Sequence, residues 1–387
     1  MKTASNHLAV LLLCTLLVAC VSRPPNLPVA ELLHDQLFAP SHAAVDAAGV
    51  FALSDDMRRY AAAELQATAQ RRDPRRALIE ALYSRGQLGL RYDAAVTRNA
   101  AEAYAARAGN CLSLVIMTAA FAKHLGLPVS YRSVLIDDVY TRQGGLYMAS
   151  GHVNLVLDRP PPRAPFGVQE PDALTIDFLP PEELRGQRSE PLAERTIMAM
   201  FMNNRAAEAL SQGRLADSYA WAREAVRQDP GFAAAVNTLA VVYMRAGHLR
   251  EAEAALRALL AREPEHVSAL SNLVHLLQRA GRAAEAQALG LRLAQLQPYP
   301  PFHFFDLGRQ AMNEGDFRRA RQLFARELRR QPDQHEVHFW AAQADLQLGD
   351  TAGATGHLRQ AMANSPTRDS QQVYAAKLDR LRAARLQ

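Results

Sequence analysis

A cysteine, a histidine and an aspartate in the middle of the chain have the residue types and the order of a nucleophilic site. Cys111 lies at the predicted start of an apolar helix, where unpaired amides and the helix dipole stabilise an anion such as a thiolate. His152 opens a predicted strand, and Asp177 lies inside the next one. If those strands pair, the imidazole can take the thiol proton while the carboxylate orients the ring. The pattern predicts attack by Cys111 on a carbonyl carbon.

Attack on a carbonyl creates a negatively charged oxygen, which needs hydrogen-bond donors. The backbone amide of Cys111 is one candidate donor, and the side chain of Asn110 is another. The choice of acid is also open, since Asp158 ends the histidine strand and is the alternative to Asp177. His124 comes at the far end of the predicted helix, and we expect it to be a helix-end residue.

The number of cysteines limits the chemistry of the folded body. Of the three cysteines, Cys14 and Cys20 lie near the start of the chain, which leaves Cys111 alone in the folded body. This excludes an intrachain disulfide framework and a cysteine metal cluster there. A free thiol in an exported protein is exposed to oxidation, which favours a chemical role for it. We expect no metal and no organic cofactor, because the sequence has no clustered ligands and no glycine-rich phosphate loop.

The apolar pattern predicts the elements that must position these residues. Helices come first and strands afterwards, which favours an α+β fold. The predicted helices span 54–70, 74–82, 97–108 and 112–125, and the predicted strands span 129–136, 152–157 and 174–178. The last of these helices is apolar on nearly every face, so we expect it to be buried.

The order of these motifs resembles the transglutaminase-like superfamily, a branch of the papain-like Cys-His-Asp enzymes. The matching stretches are Gly109-Asn110-Cys111-Leu112-Ser113, 122–128, Gly151-His152-Val153-Asn154 and Ile176-Asp177. In that superfamily a core helix delivers the cysteine to a small antiparallel sheet. The resemblance implies that Cys111 is the nucleophile, His152 the base and Asp177 the orienting acid.

The chain departs from many members of that superfamily at two places. An aromatic residue often follows the histidine, whereas this chain has Val153 and Asn154. A proline or a small residue often follows the aspartate, whereas this chain has Phe178. These departures keep open an alternative in which the fold has lost turnover and serves as a protein-binding scaffold in envelope assembly.

The first residues have the pattern of an export signal. Lys2 supplies a positive charge, and Leu8–Ala19 is an apolar run that is too short to span a bilayer. The junction Leu17-Val18-Ala19-Cys20 resembles a bacterial lipoprotein cleavage box, which implies cleavage before Cys20 and acylation of its thiol. Val21 after the cysteine implies an outer-membrane protein that faces the periplasm. A plain secreted protein and a cytoplasmic protein with an uncleaved helix are the alternatives.

The C-terminal half repeats with a period of 34 residues. The prolines that keep this period are Pro230, Pro264, Pro298, Pro332 and Pro366, and the glycines are Gly213, Gly247, Gly281, Gly315 and Gly349. The pattern resembles the tetratricopeptide repeat, a helix-turn-helix unit of that length. The first unit departs from it, because Arg205 and Ala206 stand where leucine and glycine are expected. We interpret this departure as the joint to the preceding domain.

Together these patterns predict an α+β transglutaminase-like (papain-like) domain followed by an all-α tetratricopeptide-repeat superhelix. The predicted segments are a lipoprotein signal peptide (1–19), a lipidated tether (20–49), the cysteine domain (50–198), five repeats (199–366) and a capping helix (367–387). The concave face of such repeats usually holds a protein or a peptide. The membrane is the second expected partner, through acylated Cys20. A net charge of +5 over 387 residues gives no reason to expect nucleic acid as a partner.

The function that these expectations favour is hydrolysis or acyl transfer on envelope proteins or peptides. The transglutaminase-like domain would act as a cysteine peptidase, amidase or acyltransferase, and the repeats would present its substrate. No oligomeric state follows from the sequence.

Overall fold

The computed structural model describes residues 28–66, 73–83, 88–93, 96–143, 146–158, 173–178, 188–299, 302–365 and 368–385. The expected signal segment and the expected lipidation site at Cys20 lie outside these residues. In the described part of the chain, no helix combines the length and the apolar character that crossing a bilayer requires.

The part of the chain before the repeats combines helices with two small sheets. Its elements, in chain order, are α1 (Val29–Leu32), α2 (Asp55–Tyr60, continued by a π-helical turn at Ala61–Leu65), α3 (Pro74–Tyr83), β1 (Arg91–Tyr92), α4 (Ala100–Ala106), β2 (Ala108–Gly109), α5 (Cys111–His124), β3 (Val129–Gln143), β4 (Leu146–Leu157), β5 (Leu174–Ile176) and β6 (Arg188–Leu192). Strands β1 and β2 form a parallel pair. The other four form an antiparallel sheet in the order β5-β4-β3-β6.

The strands differ from the predicted ones in length and number. Strand β4 begins at Leu146, so His152 lies inside it, and β5 ends at Ile176, so Asp177 follows directly after it. Strands β3 and β4 extend as one hairpin past a register shift between Val134 and Val139, where apolar alternation is lost. Strand β6 was not predicted, and it contains Pro191, a residue that disfavours strands. The proline is tolerated because β6 lies at the edge of the sheet.

Helix α5 is the centre of this region. All residues from Leu112 to Ala122 are buried, which explains why the segment is apolar on every face. The helix packs against β4 on one side and against the first helix of the C-terminal half on another. Lys123 and His124 lie in its last turn, where positive charge complements the helix dipole.

The C-terminal half is all helical and consists of five consecutive helix pairs and a final helix. The pairs are α6 (Glu194–Ser211) with α7 (Leu215–Gln228), α8 (Ala233–Ala246) with α9 (Leu249–Arg262), α10 (Val267–Arg279) with α11 (Ala283–Leu296), α12 (His303–Asn313) with α13 (Phe317–Arg330), and α14 (His335–Gln347) with α15 (Thr351–Ala363), followed by α16 (Arg368–Arg385). The recurrent glycine between the two helices of each pair has a φ of 73° to 87°. A side chain is strained in this left-handed conformation, which explains why glycine recurs there.

Residues 28–49, which were expected to be part of a tether, instead pack against the first two helix pairs. The ring of Phe38 stacks on that of Tyr219 with centroids 4.1 Å apart. Asp217 accepts hydrogen bonds from the Ser41 hydroxyl at 2.8 Å and from the His42 amide at 2.9 Å. The Ser41 hydrogen bond is the largest cause that lowers the pKa of Asp217 to about 2, since it favours the charged carboxylate. The tether prediction fails here because these contacts join residues far apart in sequence.

The two halves of the chain share one hydrophobic core. A single cluster of buried side chains runs from Leu32 and Phe121 through Tyr243 to Ala286. The cysteine helix is therefore supported by the repeats as well as by the sheet.

Candidate functional site

Cys111 is held at the first residue of α5 by the segment that precedes it. The amide of Asp93 donates to the carbonyl of Gly109 at 3.0 Å, which extends the pairing of β1 with β2. A Cβ on Gly109 would lie 2.6 Å from the Cβ of Ser113, so only glycine lets the chain approach the first helical turn this closely. Cys111 is partly exposed. It is therefore both fixed in position and reachable.

Asn110 is the N-cap of α5. Its Oδ1 accepts hydrogen bonds from the Ser113 amide at 2.9 Å and the Ser113 hydroxyl at 2.7 Å, and its Nδ2 donates to Thr97 Oγ1 at 2.9 Å. The side chain that sequence analysis offered as an oxyanion donor is thus used to hold the helix start. The first amides of a helix have no partner within it, and Asn110 takes that of Ser113. The amides of Cys111 and Leu112 are the better candidate donors.

The histidine and the aspartate meet across the edge of the sheet. His152 lies on β4 opposite Val134, and Asp177 follows β5, which pairs with β4 on its other side. His152 Nε2 and Asp177 Oδ1 are 2.7 Å apart, and the histidine is only 7% exposed. Pairing of two strands is what brings these residues together.

Asn154 is a fourth member of the site that sequence analysis did not include. Its Nδ2 donates to Asp177 Oδ2 at 3.0 Å, so both oxygens of the Asp177 carboxylate are engaged. Asn154 was noted only as a departure from the superfamily pattern. The available signal was its spacing: residues two apart on a strand share a face, which places Asn154 beside His152.

The pKa of the His152 ring responds to Cys111 as well as to Asp177. Burial lowers the pKa of His152, but the hydrogen bond with Asp177 and the hydrogen bond and charge of Cys111 outweigh it. The net effect raises the pKa of His152 from its ordinary 6.5 to about 9. Because Asp177 occupies Nε2, Nδ1 is the ring nitrogen left for the thiol. With a pKa of about 9, the ring is an imidazolium at neutral pH and is bonded to the Asp177 carboxylate.

The other candidates from sequence lie outside this cluster. Asp158 is exposed after the end of β4, and its amide donates to the carbonyl of Pro128 at 3.2 Å. His124 is exposed at the far end of α5, about 20 Å along the helix from Cys111 at 1.5 Å per residue. Over the residues that the structure describes, no three histidine, cysteine or acidic side chains gather as metal ligands would.

Comparison with protein families matches only the C-terminal half. Two models described as tetratricopeptide repeat match residues 209–265 and 305–369. The C-terminal helices are tetratricopeptide repeats. This confirms the interpretation of the 34-residue period. The matched residues do not include Cys111, His152 or Asp177, and no curated protein matches the chain.

Several solved structures of tetratricopeptide-repeat proteins are similar to about half of the chain. YrrB, described as having an unusual peptide-binding site, is 21% identical with a TM-score of 0.25 and covers 46% of this chain and 92% of its own. PilF of Pseudomonas aeruginosa is 21% identical with a TM-score of 0.30 and covers 49% and 94%. A thermophilic TPR protein of Thermus thermophilus is 18% identical with a TM-score of 0.32 and covers 46% and 98%.

The raised pKa of His152 predicts a stability that depends on pH. The folded-state pKa of about 9 exceeds the ordinary 6.5, so protonation of the ring stabilises the folded state. This contribution is complete below about pH 6.5 and is lost as the pH rises through 9. The difference in unfolding free energy between wild type and His152→Gln should therefore shrink over that interval, as measured by urea unfolding at several pH values. A constant difference would contradict the prediction, and His124→Gln is the control.

Proposed function

We propose that the chain is a lipoprotein and a cysteine hydrolase or acyltransferase of the transglutaminase-like type. The single observation that supports this most strongly is the 2.7 Å contact of His152 with Asp177, in a ring whose pKa Cys111 also raises. A nucleophile, a base and a group that orients the base are the three parts that cysteine catalysis needs. They come from a helix start, a strand and the end of the next strand.

The first half of the proposed reaction forms an acyl-enzyme. The Cys111 thiolate attacks the carbonyl carbon of an amide, a C–S bond forms, and the carbonyl electrons move to oxygen. The amides of Cys111 and Leu112 donate hydrogen bonds to this oxyanion. The His152 imidazolium then gives its proton to the leaving nitrogen as the C–N bond breaks, so that an amine departs and a thioester remains.

The second half releases the acyl group. Neutral His152 takes a proton from water or from an acceptor amine, whose oxygen or nitrogen attacks the thioester carbonyl. The C–S bond breaks, the sulfur leaves as a thiolate, and the imidazolium is restored. Water gives a carboxylic acid, which is hydrolysis, and an amine gives a new amide, which is transfer. We favour hydrolysis, as in a peptidase or amidase.

Asp177 and Asn154 are positioning residues in this scheme. The Asp177 carboxylate keeps the ring in the orientation that directs Nδ1 to the sulfur and stabilises the positive ring. Asn154 fixes the second carboxylate oxygen, so the carboxylate cannot turn away without losing a hydrogen bond. Where many superfamily members have an aromatic residue after the histidine, this chain thus has Asn154, which binds the Asp177 carboxylate.

The repeats supply the proposed binding function. Tetratricopeptide arrays form superhelices whose concave face usually holds a protein or a peptide. We propose that an envelope protein or peptide binds there and is presented to Cys111. A chain without turnover would keep this binding function alone, as a scaffold, and the match of family models to the repeats fits both versions.

A thiol-reactive acyl probe tests the proposed activity. Wild type should be labelled at Cys111, and Cys111→Ala should not be labelled there. His152→Ala should be labelled at least about 100-fold more slowly, because a general base contributes that much or more. The matched control is His124→Ala, which removes an exposed histidine from the other end of α5. Labelling that is absent from wild type, or equal in His152→Ala, would leave only the scaffold.

Membrane fractionation tests the proposed anchor. Cys20→Ala should move the protein from the membrane to the soluble fraction, because it removes the acylated thiol. Cys14→Ala is the matched control and should stay with the membrane. An unchanged distribution in Cys20→Ala would contradict acylation at that position.

A further inference from the structure

The loop before α4 is held by the first helix of the repeats. The Thr97 amide donates to Glu208 Oε1 at 2.7 Å, and Arg205 Nη1 donates to the Thr97 carbonyl at 3.1 Å. Arg205 and Glu208 are three residues apart in α6 and therefore lie on one face of it. Both polar groups of the buried Thr97 backbone are thus bound by one helix face.

The same loop is bonded to the start of the cysteine helix. Thr97 Oγ1 accepts from Asn110 Nδ2 at 2.9 Å, and the Arg98 amide donates to Ser113 Oγ at 2.8 Å. The Ser113 hydroxyl in turn donates to Asn110 Oδ1. The loop therefore fixes the orientation of the N-cap side chain and of the first helical turn, which together set the position of the Cys111 sulfur.

This arrangement explains the departure of the first repeat from its pattern. Leu239 and Leu273, which occupy the equivalent positions in the next two repeats, are buried. Arg205 instead directs its guanidinium to Thr97, with its carbon 5.6 Å from the centre of the Trp221 ring. A leucine at this position would have no donor for the Thr97 carbonyl.

We infer that Arg205 and Glu208 of the first repeat are positioning residues for Cys111, acting through Thr97 and the Asn110 cap. The inference rests on the proposed function, since it concerns the nucleophile of the same site. Its consequence is that the cysteine site is completed by the repeats: residues before Glu194 supply the reacting groups, and α6 supplies the support that holds the sulfur in place.

Alkylation of Cys111 in the full chain tests this inference. The rate of modification by iodoacetamide is measured at Cys111 by peptide mapping over a range of pH. The test variants are Thr97→Val, which removes the acceptor of the Asn110 amide, and Glu208→Ala, which releases the Thr97 backbone. Thr97→Ser restores the hydroxyl and is the rescue variant. The matched control is Thr196→Val, which removes a threonine hydroxyl of α6 that donates to Asp229 at 2.6 Å.

We expect Thr97→Val and Glu208→Ala to be alkylated about fivefold more slowly at neutral pH. The reason is that both changes weaken the Asn110 cap, which holds the helix start that carries Cys111. The slowing should persist across the pH range, because the loosened helix start holds the sulfur in place less well. Thr97→Ser and Thr196→Val should behave as wild type, and urea unfolding checks that each variant folds.

Two results would overturn the inference. One is that both test variants react with the rate and pH profile of the wild type, while the single variant His152→Ala reacts more slowly than the wild type. The other is an equal slowing in Thr196→Val, which would show a general loosening of α6. Failure of the proposed function gives a different result. In that case His152→Ala would be alkylated at the same rate as the wild type.

Discussion

The pairing of the His152 ring with Asp177 is the interaction on which the proposed chemistry depends. A buried imidazole would ordinarily lose its proton, because burial disfavours the charged form. Here the carboxylate on one side and the sulfur on the other reverse this effect and raise the pKa to about 9. The charge of the ring is the reason why an acid is available for the leaving group.

The fold supports this interaction from three directions. Antiparallel pairing of β4 with β5 brings Asp177 to both His152 and Asn154 of β4. The buried helix α5 presents its first residue to that edge of the sheet, and its apolar surface fixes it against β4. The first repeat supports the loop that carries the cap of this helix. The reacting groups are few, but their geometry depends on both halves of the chain.

Sequence predicted what local signals and periodicity determine. The Gly-Asn pair before Cys111 identifies a helix start, and the recurrence of glycine every 34 residues identifies the repeats, because each signal arises within a short stretch of chain. Some contacts between distant segments were the part that sequence missed. Asn154 appeared as a departure from a family pattern, and the packing of Phe38 on Tyr219 was hidden in a proline-containing segment that resembled a tether. In both cases the partner lies on another element; spacing places Asn154 beside His152, but no local pattern marks its contact with Asp177 or that of Phe38 with Tyr219.

Titration of His152 by nuclear magnetic resonance tests the central claim most directly. The imidazole carbon signals of His152, assigned by comparison with His152→Gln, are followed with pH in wild type and in Cys111→Ala. We predict that the ring titrates near pH 9 in wild type and at lower pH in Cys111→Ala, because the sulfur no longer stabilises the positive ring. A ring that titrates near 6.5 in wild type, or at the same pH in both proteins, would contradict the coupling of thiol and imidazole.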